Sequence, residues 1–315
     1  MMETIARAGS FAAAARELGR VPSALTYSVR QLEEALDVLL FDRRSRQAQL
    51  TAAGHELVSE GRRLLGEMDA VANRVRRVAT GWESELTVVT DTVISRLTVF
   101  ELVEAFFAQR GADGQPPATR LRLRGEVMTG GWEALVSGQA DLAIGVMMNA
   151  PPHSGIELKP LGDLDFVFAM APHHPLAQMA EPLADAAIHA HRAVAVADSA
   201  QRLAPLTVNL LAGQDVFTVP TMAAKIEALL RGLGCGFVPE PMVREHLRAG
   251  RLVGKTVQRA RAAVQMAYAW RRSQGAGARR APPGLALSWW LQQLEGPTTR
   301  QALLGHQLTT YQALE

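Results

Sequence analysis

Ser23, Thr26, Tyr27 and Arg30 stand 3, 1 and 3 residues apart in Pro22-Ser-Ala-Leu-Thr-Tyr-Ser-Val-Arg30, which puts two hydroxyls, a phenol and a guanidinium on one face of a helix. Groups of this kind reach base edges and phosphates in a DNA major groove. Further on, Arg43, Arg44 and Arg46 lie in the polar run from Arg43 to Gln49. That run is too polar for a core strand pair, and as a β-wing its guanidiniums can meet phosphate or enter the minor groove. Taken alone it reads as a solvated basic loop, and the helices that precede it turn the reading to a wing. The elements that must hold these groups are short helices. Ser10 is placed to cap one whose Phe11, Ala14, Ala15 and Leu18 share a face, and Met2, Ile5 and Ala6 face inward from the segment before it. Gly19 ends that helix, Pro22 suits the first position of the next, and Leu25, Val29, Leu32 and Leu36 form its expected inward stripe.

Thr51 can cap a longer helix. Along it Leu57, Gly61, Leu64, Met68, Val71, Val75 and Val78 recur at spacings of 4, 3, 4, 3, 4 and 3, with Arg62, Arg63, Glu67, Arg74, Arg76 and Arg77 outside the seam. A heptad seam of this length predicts pairing with a second copy, and packing against the chain's own domain is the alternative. Gly81 breaks the helix.

Gly9-Ser10-Phe11, Ala14-Ala15, Leu32-Glu33, Leu40-Phe41, the Arg43 to Arg46 hairpin, Leu50-Thr51 and Gly54 follow one another in an order that resembles the amino-terminal pattern of the LysR-type transcriptional regulators. Arg20 to Tyr27 and Gly81-Trp82-Glu83 are similar to one subgroup of that family. Val21 stands where the family often has a hydroxyl residue, and Pro22 where it has a polar base-reading one. The resemblance implies a longer helix ahead of Gly9 than Met1 to Ala8 supply, so the beginning reads as clipped. It also implies an all-α winged helix-turn-helix domain, a coiled-coil linker helix and an α/β effector domain of the two-lobed, periplasmic-binding-protein-like type 2 fold. Double-stranded operator DNA, a small organic effector and a homodimer or homotetramer are the implied partners.

The rest of the chain reads accordingly. Leu86 to Thr90, Leu121 to Val127 and Leu142 to Val146 are expected strands, alternating with helices through Val103 to Phe107 and Trp132 to Val136. Gly111 to Pro117 is an expected loop. A second lobe should begin near Asp163, with strands at Phe166 to Met170, Ala193 to Val196 and Val216 to Val219, and the chain should return to the first lobe at Val264 to Trp270. The expected division is 1–50 for DNA binding, 51–83 for the linker, 84–295 for the effector domain and 296–315 as a tail. Lobe I takes 84–162 and 264–295, and lobe II takes 163–263.

In a doubly wound lobe the strand ends and helix amino termini face the cleft, where backbone N–H groups favour a polar or anionic ligand. Thr90, Thr92, Val93, Thr129, Gly130, Asp198, Ser199, Thr221 and Met222 sit at such turns and are the candidate effector residues, with ordinary helix capping as the competing role. Asp91 and Asp198 would oppose a carboxylate ligand unless neutralised, which makes a plain dicarboxylate less attractive. Gly232-Leu-Gly-Cys-Gly236 matches neither dinucleotide nor nucleotide phosphate loops and reads as a helix stop. Leu233 and Phe237 around Cys235 point to a buried thiol. His173-His174 and His189-x-His191 lack further ligands at metal-site spacing, and no nucleophile elbow or acid–base pair is visible, so neither metal nor other cofactor nor catalysis is expected.

Composition narrows the class. The 315 residues are 48% hydrophobic and 20% charged with a net charge of +2, enough for more than one core and too balanced for a protein that coats itself with nucleic acid. Arginine supplies all but Lys159, Lys225 and Lys255 of the 33 basic residues, as expected of a genome biased toward arginine. A single cysteine excludes an intramolecular disulfide, and no apolar run is long enough for a membrane span, so the expected location is the cytoplasm. A cytosolic binding protein or enzyme using the two-lobed domain is the alternative, but it has no evident use for the first 50 residues.

Overall fold

The computed structural model describes residues 1–42, 47–110, 114–148, 155–206, 208–259, 263–272 and 282–305, with side chains left out at 66, 67, 69, 70 and 72–80. The chain divides into two units, Met1–Ala72 and Asn73–Glu315.

The first unit opens with helices α1 (Met2–Ala8), α2 (Phe11–Glu17) and α3 (Pro22–Leu36). Ser10 Oγ accepts the Ala13 N–H at 3.3 Å, Gly19 takes a left-handed φ of 61° after α2, and Pro22 starts α3. Ile5, Ala14, Ala15, Leu25 and Val29 pack with Leu40 and Phe41 into one small core. Two expectations fail here. Leu32 and Leu36 are exposed, and the residue that follows Leu25 and Val29 inward at spacings of four is Glu33. Its carboxylate accepts the N–H groups of Leu40 at 2.8 Å and Phe41 at 3.3 Å, so hydrogen bonding rather than hydrophobicity sets the buried face. Leu18 is also exposed, because it is the C-cap of α2 and has left the helical face.

A short ribbon, β1 (Phe41–Asp42) with β2 (Gln49–Leu50), leads into the long helix α4 (Ala52–Thr80). Thr51 makes this junction. Its Oγ1 accepts from Gly54 N at 3.0 Å and donates to Leu39 O at 2.7 Å. A Cβ at Gly54 would lie 2.1 Å from Leu40 O, so only glycine lets the first turn of α4 come this close.

The second unit holds two mixed five-stranded sheets. β3 (Glu85–Asp91), α5 (Arg96–Phe107), β4 (Arg120–Glu126), α6 (Gly130–Val136), β5 (Leu142–Met147) and β6 (Ile156–Leu164) belong to lobe I. β7 (Phe166–Met170), α7 (Asp185–His189), β8 (Ala193–Val196), β9 (Val216–Val219), α8 (Met222–Leu230), β10 (Cys235–Pro239), α9 (Glu240–Arg248) and β11 (Val253–Lys255) build lobe II, and β12 (Val264–Arg271) returns to lobe I. The sheet orders are β4-β3-β5-β12-β6 and β11-β7-β10-β8-β9. In lobe I β3 runs parallel to β4 and β5, and β12 runs antiparallel to β5 and β6. In lobe II β8 runs parallel to β9 and β10, which leaves strand ends and following helices facing the cleft.

Helices α10 (Leu285–Glu295) and α11 (Pro297–Gly305) close the fold. Residues 296–315 are therefore not simply a tail. Leu303 and Leu304 of α11 are buried in the main core, Leu303 O accepts from Ser95 N at 2.9 Å, and 306–315 lie outside the described residues. The segment after α4 is clasped in turn. Gly81 O accepts from Leu285 N at 2.9 Å, Glu83 Oε2 from Ala286 N at 3.0 Å and Glu83 O from Thr119 Oγ1 at 2.6 Å, while Trp82 meets Phe106 edge-on at 6.4 Å.

Candidate functional site

In the first unit α3 carries Ser23, Thr26, Tyr27 and Arg30 on its exposed side, with Tyr27 63% exposed. Thr26 Oγ1 donates to Pro22 O at 3.0 Å and Tyr27 Oη accepts from Gln31 Nε2 at 2.8 Å. The Thr26 oxygen therefore faces outward as an acceptor, and the Tyr27 hydroxyl keeps its proton to donate. Thr26 and Arg30 border a groove of about 570 Å³ whose other wall is formed by Ser10, Phe11, Asp42 and Gln47. The wing residues Arg43, Arg44 and Arg46 lie outside the described residues.

The heptad seam divides. Leu57 is half-buried against the core around Phe41 and Leu40. Leu64, Met68 and Val71 are 51, 67 and 49% exposed, a continuous apolar stripe along α4. Val75 and Val78 lie in the helix, but their side chains are not among those described.

The second unit contains a chamber of about 340 Å³ between its lobes. Thr92, Val93, Asp198 and Met222 line it, as does Asp91. Thr90, Thr129, Gly130, Ser199 and Thr221 stand outside that lining. Thr221 caps α8, its Oγ1 accepting from Ala224 N at 3.1 Å. Thr129, Gly130 and Ser199 instead join the lobes. Thr129 N donates to Asp198 Oδ2 at 3.2 Å, and Ser199 Oγ accepts from Val127 N at 2.9 Å while donating to Glu126 Oε2 at 2.7 Å. A Cβ at Gly130 would fall 1.9 Å from Ser199 Oγ, so this crossing needs a glycine.

Sequence reasoning missed the strongest of these crossings. Glu133 of α6 accepts three successive lobe II N–H groups on one carboxylate oxygen, from Gln201 at 3.0 Å, Arg202 at 2.7 Å and Leu203 at 2.9 Å. The chain beyond these amides lines the chamber through Pro205, Leu206, Val208, Asn209 and Leu210. It also missed the floor: Phe166, Phe168, Ile188, Val194 and Phe237 give an apolar surface, and Lys225 is the only cationic side chain among the described lining residues. Lys225 did carry a signal, because it shares the inward stripe of α8 with Met222 and Leu229 at spacings of 3 and 4. Glu133 carried none.

Electrostatics separate the acidic groups. Asp91 accepts from Val93 N at 2.9 Å and Met128 N at 2.8 Å, yet burial pushes its pKa up to about 6 against those bonds, with the charge of Asp198 adding to the rise. Asp198 is spent on backbone, accepting from Ala200 N at 2.9 Å and Leu206 N at 2.8 Å besides Thr129. Thr92 Oγ1 is buried without a hydrogen-bond partner among the described residues.

Cys235 is buried, its Sγ within 3.5 Å of Arg192 O, and burial pushes its thiol up to about 11, which leaves it protonated and unreactive at neutral pH. The histidines have structural partners. His174 Nδ1 accepts from Leu176 N at 3.2 Å, and His189 Nε2 lies 3.0 Å from Ala212 O. Among the described residues no group of three or more His, Cys, Asp or Glu side chains is arranged to hold a metal ion.

A helix-turn-helix with a short ribbon, a long helix and a two-lobed domain with a covered chamber is the layout of a ligand-responsive transcriptional regulator. The family comparisons agree with it: residues 1–55 match the bacterial regulatory helix-turn-helix protein of the lysR family, and residues 79–296 match the LysR substrate binding domain. The chain belongs to the LysR family of transcriptional regulators. It is 38% identical over 294 residues to the probable HTH-type transcriptional regulator YhaJ of Escherichia coli K12, covering 93% of each chain. The regulator YeeY of the same organism is 34% identical, covering 93% of this chain and 91% of that one. The narrower resemblance at Arg20 to Tyr27 and Gly81 to Glu83 thus belongs to the YhaJ-like subgroup. Among solved structures the LysR family regulator CbnR is similar in fold, with a TM-score of 0.56 at 20% identity over 93% of this chain and 96% of that one.

Proposed function

We propose that this regulator reads a pseudo-palindromic DNA site as a dimer and changes its grip when a small organic molecule occupies the chamber of residues 84 onward. Residues 1–50 form the reading unit and 51–83 the linker. Ser23, Thr26, Tyr27 and Arg30 meet bases and phosphates, and Arg43, Arg44 and Arg46 add wing contacts. Leu64, Met68 and Val71, continued by Val75 and Val78, pair with the same helix of a second copy, and two dimers join as a tetramer. The protein works in the cytoplasm without catalysing a reaction. No helix among the described residues is long and apolar enough to cross a membrane.

The observation that carries this reading is the polar face of α3, presented outward beside a capped helix and a tight turn while the opposite face is fully engaged in a core. The solved CbnR complex with its target DNA supports the DNA partner, and the solved LysG of Corynebacterium glutamicum with bound effector arginine supports a small-molecule ligand for a relative of this fold. A salt titration of duplex binding tests it. Phosphate neutralisation releases counterions, so affinity should fall steeply with salt, and replacing two wing arginines by alanine should lower the slope by about one unit per lost contact. Duplex affinity independent of salt would refute the reading.

A further inference from the structure

We propose that the chamber takes an uncharged, largely apolar small molecule, held by the aromatic and aliphatic wall and oriented by one hydrogen-bonding group on Thr218 or Asn209. This inference rests on the effector-chamber reading and deepens it.

The charged side chains of the described lining are Asp91, Asp198 and Lys225, and all are committed inside the protein. Asp91 accepts from Val93 N through Oδ1 and from Met128 N through Oδ2. Asp198 accepts from Ala200 N through Oδ1 and from Thr129 N and Leu206 N through Oδ2. Each carboxylate oxygen is thus paired with backbone, and Lys225 also has an interaction within the protein. An ionic ligand entering here would give up its hydration and meet no charge left without a partner, which disfavours anions and cations alike. The helix amino termini of the two lobes offer no substitute. Thr129 N at the start of α6 is taken by Asp198, while Ser95 and Thr221 cap α5 and α8 by accepting Thr98 N at 3.3 Å and Ala224 N at 3.1 Å. The strand ends alone favour a polar or anionic ligand, and their occupation by the chain's own groups removes that preference.

The uncharged polar side chains divide in the same way. Gln214 is spent: its Nε2 donates to Ile188 O at 3.1 Å and His191 O at 2.9 Å, and its Oε1 accepts from Leu211 N at 3.3 Å. Thr218 and Asn209 are not. Both line the chamber, both are exposed, and neither side chain has a hydrogen-bond partner among the described residues. Thr218 shares its face of the edge strand β9 with Val216, which also lines the chamber, whereas Val219 on the alternate face packs into the main core. A hydroxyl and an amide each donate and accept, so they suit an uncharged polar group on the ligand.

The remaining wall supplies the attraction. Phe166, Phe237 and Val196 line the chamber and are only half-buried, so they keep apolar surface for a ligand, and Phe168 meets Phe237 edge-on at 5.2 Å and fixes its ring. Covering such surface is favourable without any pairing of charge, and a volume of about 340 Å³ suits a small molecule.

The test uses the full chain and probes of matched shape: phenethyl alcohol, the anion phenylacetate, the cation phenethylamine, and ethylbenzene, which has no polar group. Calorimetry at neutral pH should show phenethyl alcohol binding roughly tenfold or more tighter than phenylacetate and phenethylamine. Thr218→Val or Asn209→Gly should weaken the alcohol roughly fivefold while leaving ethylbenzene nearly unchanged. Both substitutions suit their positions, because valine keeps a β-branched side chain on the strand and Asn209 has a left-handed φ of 61° that glycine adopts freely. A charged probe that binds as tightly as the alcohol would overturn the proposal. So would no binding of the alcohol at millimolar concentration, or unchanged alcohol binding in both variants. Duplex affinity measured beside each probe keeps the two readings apart. Alcohol binding that leaves DNA affinity untouched counts against ligand control and not against the ligand class, whereas DNA affinity that answers phenylacetate or phenethylamine but not the alcohol counts against the class.

Discussion

Glu133 joins the lobes through a single carboxylate oxygen, and its removal gives the sharpest expectation. In Glu133→Ala the N–H groups of Gln201, Arg202 and Leu203 lose their shared acceptor. A hydrogen bond to a charged group contributes roughly 1.5–3 kcal/mol when shielded. Gln201 and Arg202 are exposed, so water replaces much of what they lose, and the three bonds together favour the held position of the loop by about 2 kcal/mol. That is roughly a thirtyfold change in the equilibrium between held and released loop. The chain that follows also lines the chamber, so a bound ligand should leave faster by up to a similar factor while global stability changes less. Hydrogen exchange of the three amides, followed by mass spectrometry, measures the release directly. Protection at 201–203 should drop by roughly thirtyfold in the alanine variant and by less in Glu133→Gln, which keeps one uncharged acceptor oxygen. Unchanged protection at these amides in a folded Glu133→Ala protein would show that the loop is held by its apolar contacts and not by the carboxylate.

Removing the Glu33 carboxylate should be costly for a different reason, since it strands two buried N–H groups at Leu40 and Phe41; Glu33→Ala should destabilise the first unit by about 2–4 kcal/mol in urea titrations and weaken duplex binding, and a loss below about 0.5 kcal/mol would contradict the burial argument. Leu64→Asp should place like charges face to face in the exposed stripe of α4 and halve the sedimenting mass of the dimer, with unchanged assembly and unchanged operator affinity as the contrary result. Leu303→Ala should cost about 2–4 kcal/mol of effector-domain stability because α11 is part of the core; a neutral outcome would return this segment to the status of a tail. Asp91 has a folded pKa near 6 against an ordinary 3.8, so the native state holds its proton more tightly than the unfolded chain. Its contribution is therefore most favourable below about pH 4 and is lost as pH rises through about 6, by about 3 kcal/mol in all. Asp91→Asn should flatten that slope, and a stability difference between the two proteins that does not vary from about pH 4 to 7 would refute it.

What could be read from sequence was what local physics decides. Ser10, Gly19, Pro22 and Thr51 mark helix boundaries through their own side chains and dihedral preferences, the run Leu142 to Val146 is a fully buried strand, and Val216 to Val219 is β-branched and aromatic enough to form one at a sheet edge where its first three residues stay exposed. The segment Ile156–Leu164 was not legible, because Lys159, Pro160 and Gly162 break its pattern. It is an edge strand, where a missing N–H is tolerated, and its register with β12 shifts near Pro160 and Gly162. The strand Cys235–Pro239 was hidden for a related reason. Its glycines read as a turn, whereas only Gly232 has the left-handed φ, and Gly234 and Gly236 are there to admit Arg192 O and Lys225.

The same distinction explains which site residues were found. Hydroxyls at strand ends are visible in a sequence, but their roles depend on which of them meets the opposite lobe. Ser199 and Thr129 are expected as ligand residues and take part in the crossing between lobes: the Ser199 hydroxyl is occupied by Glu126 and Val127, whereas Thr129 crosses through its backbone N–H to Asp198 and its hydroxyl has no partner among the described residues. Glu133 could not be selected at all, since its acceptors' partners are plain backbone amides with no sequence signature. Leu32 and Glu33 show the rule at its smallest scale. Hydrophobicity favours the leucine for the core, yet two N–H groups of the chain reversal after α3 must be satisfied where water cannot reach, and a carboxylate one residue along does it. Where a buried backbone group needs a partner from afar, the side chain that answers is chosen by tertiary geometry, and in this protein those answers lie in the first unit's core at Glu33 and at the closure of the chamber at Glu133.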